Sequence, residues 1–256
     1  MSLAAPSGFI HDFTTVAGRA LRSIPREPEA VMPSLIIPIF WYVINVGTLQ
    51  DIAPADVDFK SFQIATAIIF AVSGVSRANT VVTDIQSGYL DKMLVTPIRR
   101  AALLLGMMAA DIALVIALAT LVCIMGFILG VGFTTGVGGF LTFIAIAAAW
   151  GLAFTGFPYF VALKTGNPAA VNSTFLIFFP FAFLTSTFLP LDALSSWLQD
   201  VARFNPVTYV LDGLRSLQTT GWETTELAQA AGAIAVFGAI TFTMCFRALA
   251  QRVAID

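Results

Sequence analysis

Few side chains in this sequence could do chemistry. The single histidine, His11, has no second metal ligand nearby, and the two cysteines, Cys123 and Cys245, both lie inside apolar runs. Cysteines in such runs are typical of small packing residues. One acid, Asp111, lies far inside a long apolar stretch, and an acid at that depth is costly and therefore a candidate for a functional role. These residues form no catalytic or metal-binding constellation, so the sequence argues against an enzyme.

A short polar segment between two apolar stretches is a second candidate site. It runs from Asp84 to Arg100 and reads DIQSGYLDKMLVTPIRR. The pattern predicts a helix over residues 84–94, ended by Thr96 and Pro97. Four apolar residues share one face of that helix, namely Tyr89, Leu90, Met93 and Leu94. A helix that joins two membrane spans would move both spans when another protein pushes on it; the alternative is an ordinary amphipathic loop helix.

The elements that position these residues are predicted to be helices in a membrane. The chain has 256 residues, of which 58% are hydrophobic and 11% are charged, whereas soluble domains carry about 25% charged residues. Apolar runs of about 20 residues predict helices that cross the hydrocarbon. A membrane β-barrel would need alternating segments of about 10 residues, which we do not find. The net charge of −2 gives no sign of a nucleic-acid partner.

We predict a single all-α membrane domain over residues 1–256 with six transmembrane helices. The predicted spans are 31–49, 61–81, 102–131, 139–163, 169–189 and 228–247. Six spans place both termini on one side, and that side then receives ten of the thirteen Lys and Arg residues. Because positive charge accumulates on the cytoplasmic side, we expect a multi-pass protein of the cell membrane with both termini in the cytoplasm.

Two further segments are predicted to lie at the membrane surface. Residues 9–24 form a sharply amphipathic helix, which we expect to lie in the headgroup plane; the alternative is a soluble helix packed on a partner. Residues 190–227 contain two short amphipathic helices separated by Asn205 and Pro206. We expect these helices to dip into the outer leaflet and return; the alternative is a pair lying flat on the outer face.

Several short motifs occur in a recognisable order along the chain. In the polar segment they are Asp84, Gly88, Leu94, Thr96-Pro97 and Arg99-Arg100. Before the last span they are Leu189-Pro190, Trp197-Leu198, Asn205-Pro206 and Asp212-Gly-Leu-Arg215. In this order, with six spans and an amino-terminal interfacial helix, the chain resembles the permease subunits of type-two ATP-binding-cassette (ABC) exporters, which move drugs or lipids. Gln86 and Ser195 depart from the family pattern, which more often has an acid and a proline there.

The resemblance implies that this chain hydrolyses no ATP itself. The sequence agrees, because Phe157 and Pro158 follow the glycine pair Gly151 and Gly156 where a phosphate-binding loop needs Lys and Ser or Thr. The implied partners are two cytoplasmic ABC ATPase subunits, which would carry ATP and Mg, a second permease subunit, identical or different, and membrane lipid. No cofactor is expected on this chain. The expected contacts with the ATPase are Asp84, Gly88, Tyr89, Leu90, Asp91, Lys92 and Met93.

The predicted function is ATP-driven export of a hydrophobic or amphiphilic compound. The candidates for the substrate pathway are Arg77, Asn79, Asp111, Phe175 and Phe179. We expect Asp111 to pair with Arg77 or Asn79; the alternative is that Asp111 only links two helices. The phenylalanines could instead pack against lipid or other helices. The alternative function is a secondary transporter or channel without an ATPase, for which inverted repeats or more charged residues inside the membrane would be expected.

Overall fold

All regular secondary structure in the described residues is helical. The computed structural model describes residues 8–26, 28–51, 58–96 and 98–253. The helices are α1 (Phe9–Ser23), α2 (Pro28–Leu49), α3 (Phe59–Ser73), α4 (Ala78–Gln86), α5 (Tyr89–Leu94), α6 (Arg100–Ile128), α7 (Gly136–Thr165), α8 (Pro168–Phe183), α9 (Ser196–Arg203), α10 (Pro206–Thr219) and α11 (Thr224–Val253). Two short 3₁₀ turns cover Ile24–Arg26 and Leu191–Ala193.

Four stretches of the described chain are long and apolar enough to cross a membrane. They are Phe59–Gln86, Arg100–Ile128, Gly136–Thr165 and Thr224–Arg252, judged by length and composition. Two further apolar stretches, Ile36–Leu49 and Pro168–Phe183, are shorter. The chain is therefore an all-helical protein with several membrane-spanning helices, and the predicted α-helical class is confirmed.

The fifth apolar helix is shorter than the predicted span 169–189. Helix α8 ends at Phe183, and residues 184–189 form bends. Thr185 donates a hydrogen bond of 2.7 Å to the carbonyl of Ala182, and the Thr187 hydroxyl donates to the same carbonyl. These hydroxyls satisfy a carbonyl that a further helical turn would otherwise have used. The helix can therefore end at Phe183.

The second predicted span, 61–81, is not one helix. Helix α3 ends at Ser73, residues 74–77 are irregular, and α4 begins at Ala78. The predicted helix over residues 84–94 is also interrupted, because Gly88 adopts a left-handed conformation with φ of 68°. Glycine adopts that conformation without a steric penalty. The chain thus turns sharply between α4 and α5; Pro97, the predicted end of the segment, lies outside the described residues.

Helix α3 occupies the centre of the bundle. Every residue from Ser61 to Ser73 is buried, and α2, α6, α7 and α10 pack around it. Small residues let the outer helices approach closely: a Cβ added to Gly151 would lie 2.9 Å from Val115, and one added to Gly156 would lie 2.8 Å from Thr241. Such contacts are typical of helix packing in membranes, and they leave little freedom inside the bundle.

Helix α1 packs against the first turns of α6. Val16 and Ala17 are buried, and a Cβ added to Gly106 would lie 2.7 Å from Val16. The apolar face of α1 is only partly used in this way, since Phe9 and Ile10 are exposed. Helix α1 therefore rests on the bundle and keeps apolar side chains available for a membrane surface.

Candidate functional site

The polar segment after α4 is anchored to the bundle by two side chains. We call residues 84–96 the coupling segment. Leu90 is fully buried and Met93 is nearly so. Both belong to a hydrophobic cluster that includes Leu104 of α6, Leu163 of α7 and Leu249 of α11. Leu90 and Met93 thus attach α5 to a cluster to which three long helices also contribute.

The opposite face of α5 is exposed. Tyr89 is 40% exposed and Val95 is 85% exposed, and Lys92 is exposed as well. Leu90 and Met93, two of the expected ATPase contacts, are buried within this chain. The exposed residues of the coupling segment are Gln86, Ser87, Tyr89, Lys92, Val95 and Thr96.

Two ion pairs tie the coupling segment to its neighbours. Arg19 of α1 donates to Asp84 at 2.7 Å, and its guanidinium lies 4.2 Å from the centre of the Tyr89 ring. Burial lowers the pKa of Arg19, but the hydrogen bond and charge of Asp84 outweigh it, so the Arg19 pKa is raised above its ordinary value. Asp91 lies 3.9 Å from Arg252 of α11. Asp84, one of the expected ATPase contacts, is thus paired with Arg19 within this chain.

The role of Arg19 could not be seen in the sequence. Its only signal there is a place on the polar face of α1, and nothing in the spacing brings α1 to Asp84. A second contact holds the same helix, because Asp12 accepts a hydrogen bond from the backbone N–H of Arg99 at 3.2 Å. Helix α1 therefore contacts both ends of the loop that joins the second and third predicted spans.

Asp111 stabilises the irregular residues 74–77 between α3 and α4, which we call the break in the second span. Its carboxylate accepts a hydrogen bond of 2.6 Å from the backbone N–H of Arg77 and another of 2.6 Å from the Tyr159 hydroxyl. The expected partner Arg77 is thus correct, but through its backbone. Asn79, the other expected partner, donates to Asn172 instead. Asp111 is fully buried, and its bond to Arg77 supports the amino-terminal end of α4.

The guanidinium of Arg77 points away from Asp111. It donates to the carbonyl of Ala20 at 2.7 Å and to the Ser23 hydroxyl at 2.8 Å. Both partners belong to α1, so this arginine joins the break to the amino-terminal helix. It does not share a pocket with the other substrate-pathway candidates of the sequence analysis.

A pocket of about 260 Å³ lies beside the break, between α3, α4, α7 and α8. Two of the substrate-pathway candidates, Asn79 and Phe175, line it, and it also contains Asn172 and Thr174. Phe179 lies next to it, with its ring centre 5.0 Å from that of Phe175. The pocket therefore combines amide and hydroxyl groups with an aromatic wall, which suits an amphiphilic ligand.

At the other end of the bundle, Arg215 of α10 is the centre of a buried polar cluster. It donates to the Ser186 hydroxyl and carbonyl at 2.8 Å each and to the Thr66 hydroxyl at 3.1 Å. Its guanidinium lies 3.4 Å from the centre of the Phe62 ring, and Asp212 is 3.7 Å away. We call these five residues the Arg215 cluster. It joins α10 to α3 and to the bends that follow α8.

Asn205 fixes the start of α10. Its side-chain oxygen accepts a hydrogen bond of 3.0 Å from the N–H of Val207, which caps the helix. Its amide donates to the carbonyls of Phe181 at 2.6 Å and Leu184 at 3.1 Å. The Asn-Pro motif therefore separates two short helices and also attaches the second of them to the end of α8.

Comparison with known proteins connects this architecture to a family. The family model described as ABC-2 type transporter matches residues 11–219, which include α1, the coupling segment and the Arg215 cluster. The chain belongs to the ABC-2 type transporter family. The resemblance found in the motifs is thereby confirmed, and the chain is a membrane-embedded ABC transporter permease.

Two relatives of this permease come from different organisms. One is the probable doxorubicin resistance ABC transporter permease protein DrrC of Mycobacterium tuberculosis, which is 25% identical over 218 residues, 83% of this chain and 79% of that protein. The other is the putative transport permease ycf38 of Cyanophora paradoxa, 23% identical over 222 residues, 82% of this chain and 74% of that protein. Both are similar to this permease over most of its length.

Proposed function

We propose that this ABC-2 permease is the transmembrane subunit of an ATP-driven exporter for a hydrophobic or amphiphilic compound. Two permease subunits and two separate ABC ATPase subunits, which carry ATP and Mg, form the working unit. The family membership and the relative named for doxorubicin resistance support this assignment. The observation that carries it is the coupling segment, whose buried anchors and exposed face suit a part that another protein pushes.

The membrane layout of the proposal has six crossings with both termini in the cytoplasm. The four long apolar helices supply four of them, and α2 and α8 supply the other two. The excess of Lys and Arg on the side of the termini supports the orientation. In this layout α9 and α10 form the outer pair of short helices, and the coupling segment faces the cytoplasm.

ATP-driven closure of the ATPase pair would press on Tyr89, Lys92 and Val95. The force would pass from α5 to α4, its main packing partner, and through their shared hydrophobic cluster to α6, α7 and α11. Packed interfaces of this kind change between discrete arrangements rather than deform continuously. The energy of transport therefore enters at α5 as a packing change, and this chain supplies no chemistry.

The pocket beside the break in the second span is the proposed contact for the cargo. Broken helices with irregular backbone are tolerated at membrane depth where they border a cavity, and transporters place substrate sites at such breaks. The wall formed by Phe175 and the amides of Asn79 and Asn172 favours a compound with an aromatic part and a few polar groups. This choice of cargo rests on the chemistry of the pocket.

The test of the proposal is a substitution on the exposed face of the coupling segment. Val95→Asp places a charge at a side chain that is 85% exposed, so folding is retained while an apolar contact with the ATPase is lost. Tagged permease is co-expressed with its ABC ATPase, and the copurified ATPase is identified by photolabelling with azido-ATP. We expect about tenfold less ATPase to copurify, the effect of about 1.4 kcal/mol at one lost contact, together with loss of ATP-dependent transport.

The matched control is Val137→Asp. Val137 lies in the first turn of α7, away from the coupling segment, and is 76% exposed. The same substitution there tests the general cost of a surface charge. Equal ATPase recovery with wild-type permease and with Val95→Asp would contradict the proposed contact. Uphill transport or ion conduction by the purified permease alone, reconstituted in vesicles, would contradict the whole proposal.

A further inference from the structure

A second cavity, separate from the proposed cargo pocket, lies between α1, α4, α6 and α7. Its volume is about 490 Å³, within the range of sites for small molecules, roughly 300–1,000 Å³. Its floor is apolar and includes Val16, Val81 and Met107, while its rim is polar. The cavity is therefore built like a site for a molecule with a polar head and an apolar body.

The rim of this cavity carries an excess of positive charge. Three arginines line it, Arg19, Arg22 and Arg77, together with one carboxylate, Asp84. Arg19 is paired with Asp84, and Arg77 is held by hydrogen bonds to Ala20 and Ser23. Arg77 is buried, and its bonds to α1 hold its charge beside the cavity. Arg22 is exposed at the rim and can turn towards a ligand.

Arginine clusters of this kind recognise phosphate. The guanidinium is planar, keeps its charge and donates paired hydrogen bonds to phosphate oxygens. Basic pockets beside transmembrane helices at the cytoplasmic surface bind the headgroups of anionic lipids. Helix α1 has exposed apolar side chains at Phe9 and Ile10, which suit the headgroup region. In that position the cavity opens at the depth where lipid phosphates lie.

We propose that this cavity binds the phosphate of an anionic phospholipid from the cytoplasmic leaflet, with Arg22 and Arg77 on the headgroup and Met107 near the glycerol and upper acyl carbons. The inference rests on the orientation given under Proposed function. A lipid bound there contacts α1 and α4 together and so holds α1 against the coupling segment. The recognised chemistry is phosphate, and a free phosphate ion is the other possible source of it.

Lipid binding to the purified, lipid-stripped permease tests the proposal without an ATPase or transport. The permease is titrated with phosphatidylglycerol, with phosphatidylcholine and with inorganic phosphate. Bound lipid is counted by native mass spectrometry. Both lipids carry the phosphate, but the choline cation of phosphatidylcholine is repelled by the arginines, so we expect phosphatidylglycerol to bind about tenfold more tightly. Inorganic phosphate is expected to leave the bound phosphatidylglycerol in place.

The variant Arg22→Gln removes one charge from the rim, and Arg100→Gln is its matched control. Both arginines are exposed, and Arg100, the first residue of α6, does not line the cavity. We expect Arg22→Gln to reduce the preference for phosphatidylglycerol about threefold, since Arg77 remains, and Arg100→Gln to leave it unchanged.

Three results would overturn the proposal. Equal affinity of the wild-type permease for the two lipids would exclude an anionic headgroup site. Equal loss in Arg22→Gln and Arg100→Gln would assign the preference to the general surface charge. Displacement of the lipid by inorganic phosphate at equal affinity would identify a soluble anion as the ligand. Because binding is measured on the permease alone, failure here leaves the coupling proposal standing, and failure of the Val95→Asp test leaves this one standing.

Discussion

The two ends of the helix bundle hold arginine in opposite ways. At the coupling end, the side chain of Arg19 is 45% exposed and bridges to Asp84 across two helices. At the other end, the side chain of Arg215 is 9% exposed and is surrounded by Phe62, Thr66 and Ser186. The same charged group thus forms a solvated bridge at one end and a buried cluster at the other.

This difference separates a part that can move from a part that cannot. A partly exposed ion pair contributes about 0–1 kcal/mol, so the coupling end can break and re-form such pairs during a transport cycle. A buried charge that loses its partners costs several kcal/mol, so the Arg215 cluster resists rearrangement. Conformational change is therefore expected to begin at the coupling segment, with α10 and the end of α8 moving as one body.

The largest expected effect comes from Arg215→Ala. The substitution leaves the buried oxygens of Ser186 and Thr66 without their donor and removes the packing against Phe62, so we expect a loss of about 3–5 kcal/mol in the free energy of unfolding. The measurement is the unfolding transition of the purified permease in detergent. Arg203→Ala is the control, because Arg203 is 63% exposed and its nearest acid, Asp200, is 4.0 Å away; its expected effect is below about 0.5 kcal/mol.

Tyr159→Phe tests whether burial of a hydrogen bond, rather than its position along the bundle, determines the stability lost when the bond is removed. Tyr159 lies nearer the coupling end but is buried, and its hydroxyl donates to Asp111. Removal of the hydroxyl leaves one carboxylate oxygen without that donor, so we expect a loss of about 1–3 kcal/mol. Tyr209→Phe removes a hydroxyl whose 2.6 Å bond to the Arg203 carbonyl is exposed, and it is expected to cost less than about 1 kcal/mol. Equal losses in the two variants would show that burial is not the deciding factor.

The helical class and the order of the helices could be predicted because they depend on local composition. Long apolar runs predict spanning helices, and Asn205-Pro206 predicts the separation of α9 from α10, since proline at that place starts a new helix. The irregular residues 74–77 could not be predicted in the same way. They depend on Asp111 of α6 and Tyr159 of α7, which are brought together only by tertiary packing.

The sequence indicates where the coupling segment lies but not which of its residues are exposed. The sequence located the coupling segment and assigned all of residues 88–93 to its contact surface. Burial of Leu90 and Met93 divides that set into anchors and exposed residues. Helical spacing alone gives a face but not which neighbour covers it, and the covering helices α6, α7 and α11 come from distant parts of the chain. Arg19 was missed for the same reason, because its partner Asp84 lies 65 residues away.

The smallest effect on stability is expected for Arg19→Gln, which tests directly whether the coupling end is less rigid than the Arg215 cluster. The Arg19 side chain is 45% exposed and that of Asp84 is 11% exposed, so we expect a loss of about 1 kcal/mol that shrinks as salt is raised. We expect ATP-dependent transport to fall clearly although the free energy of unfolding changes little, because α1 is no longer held to the coupling segment. The exchanged pair Arg19→Asp with Asp84→Arg restores the opposite charges and should recover part of the transport. A loss of stability in Arg19→Gln as large as that in Arg215→Ala would mean that the coupling end is as rigid as the other, and movement would then have to begin elsewhere in the bundle.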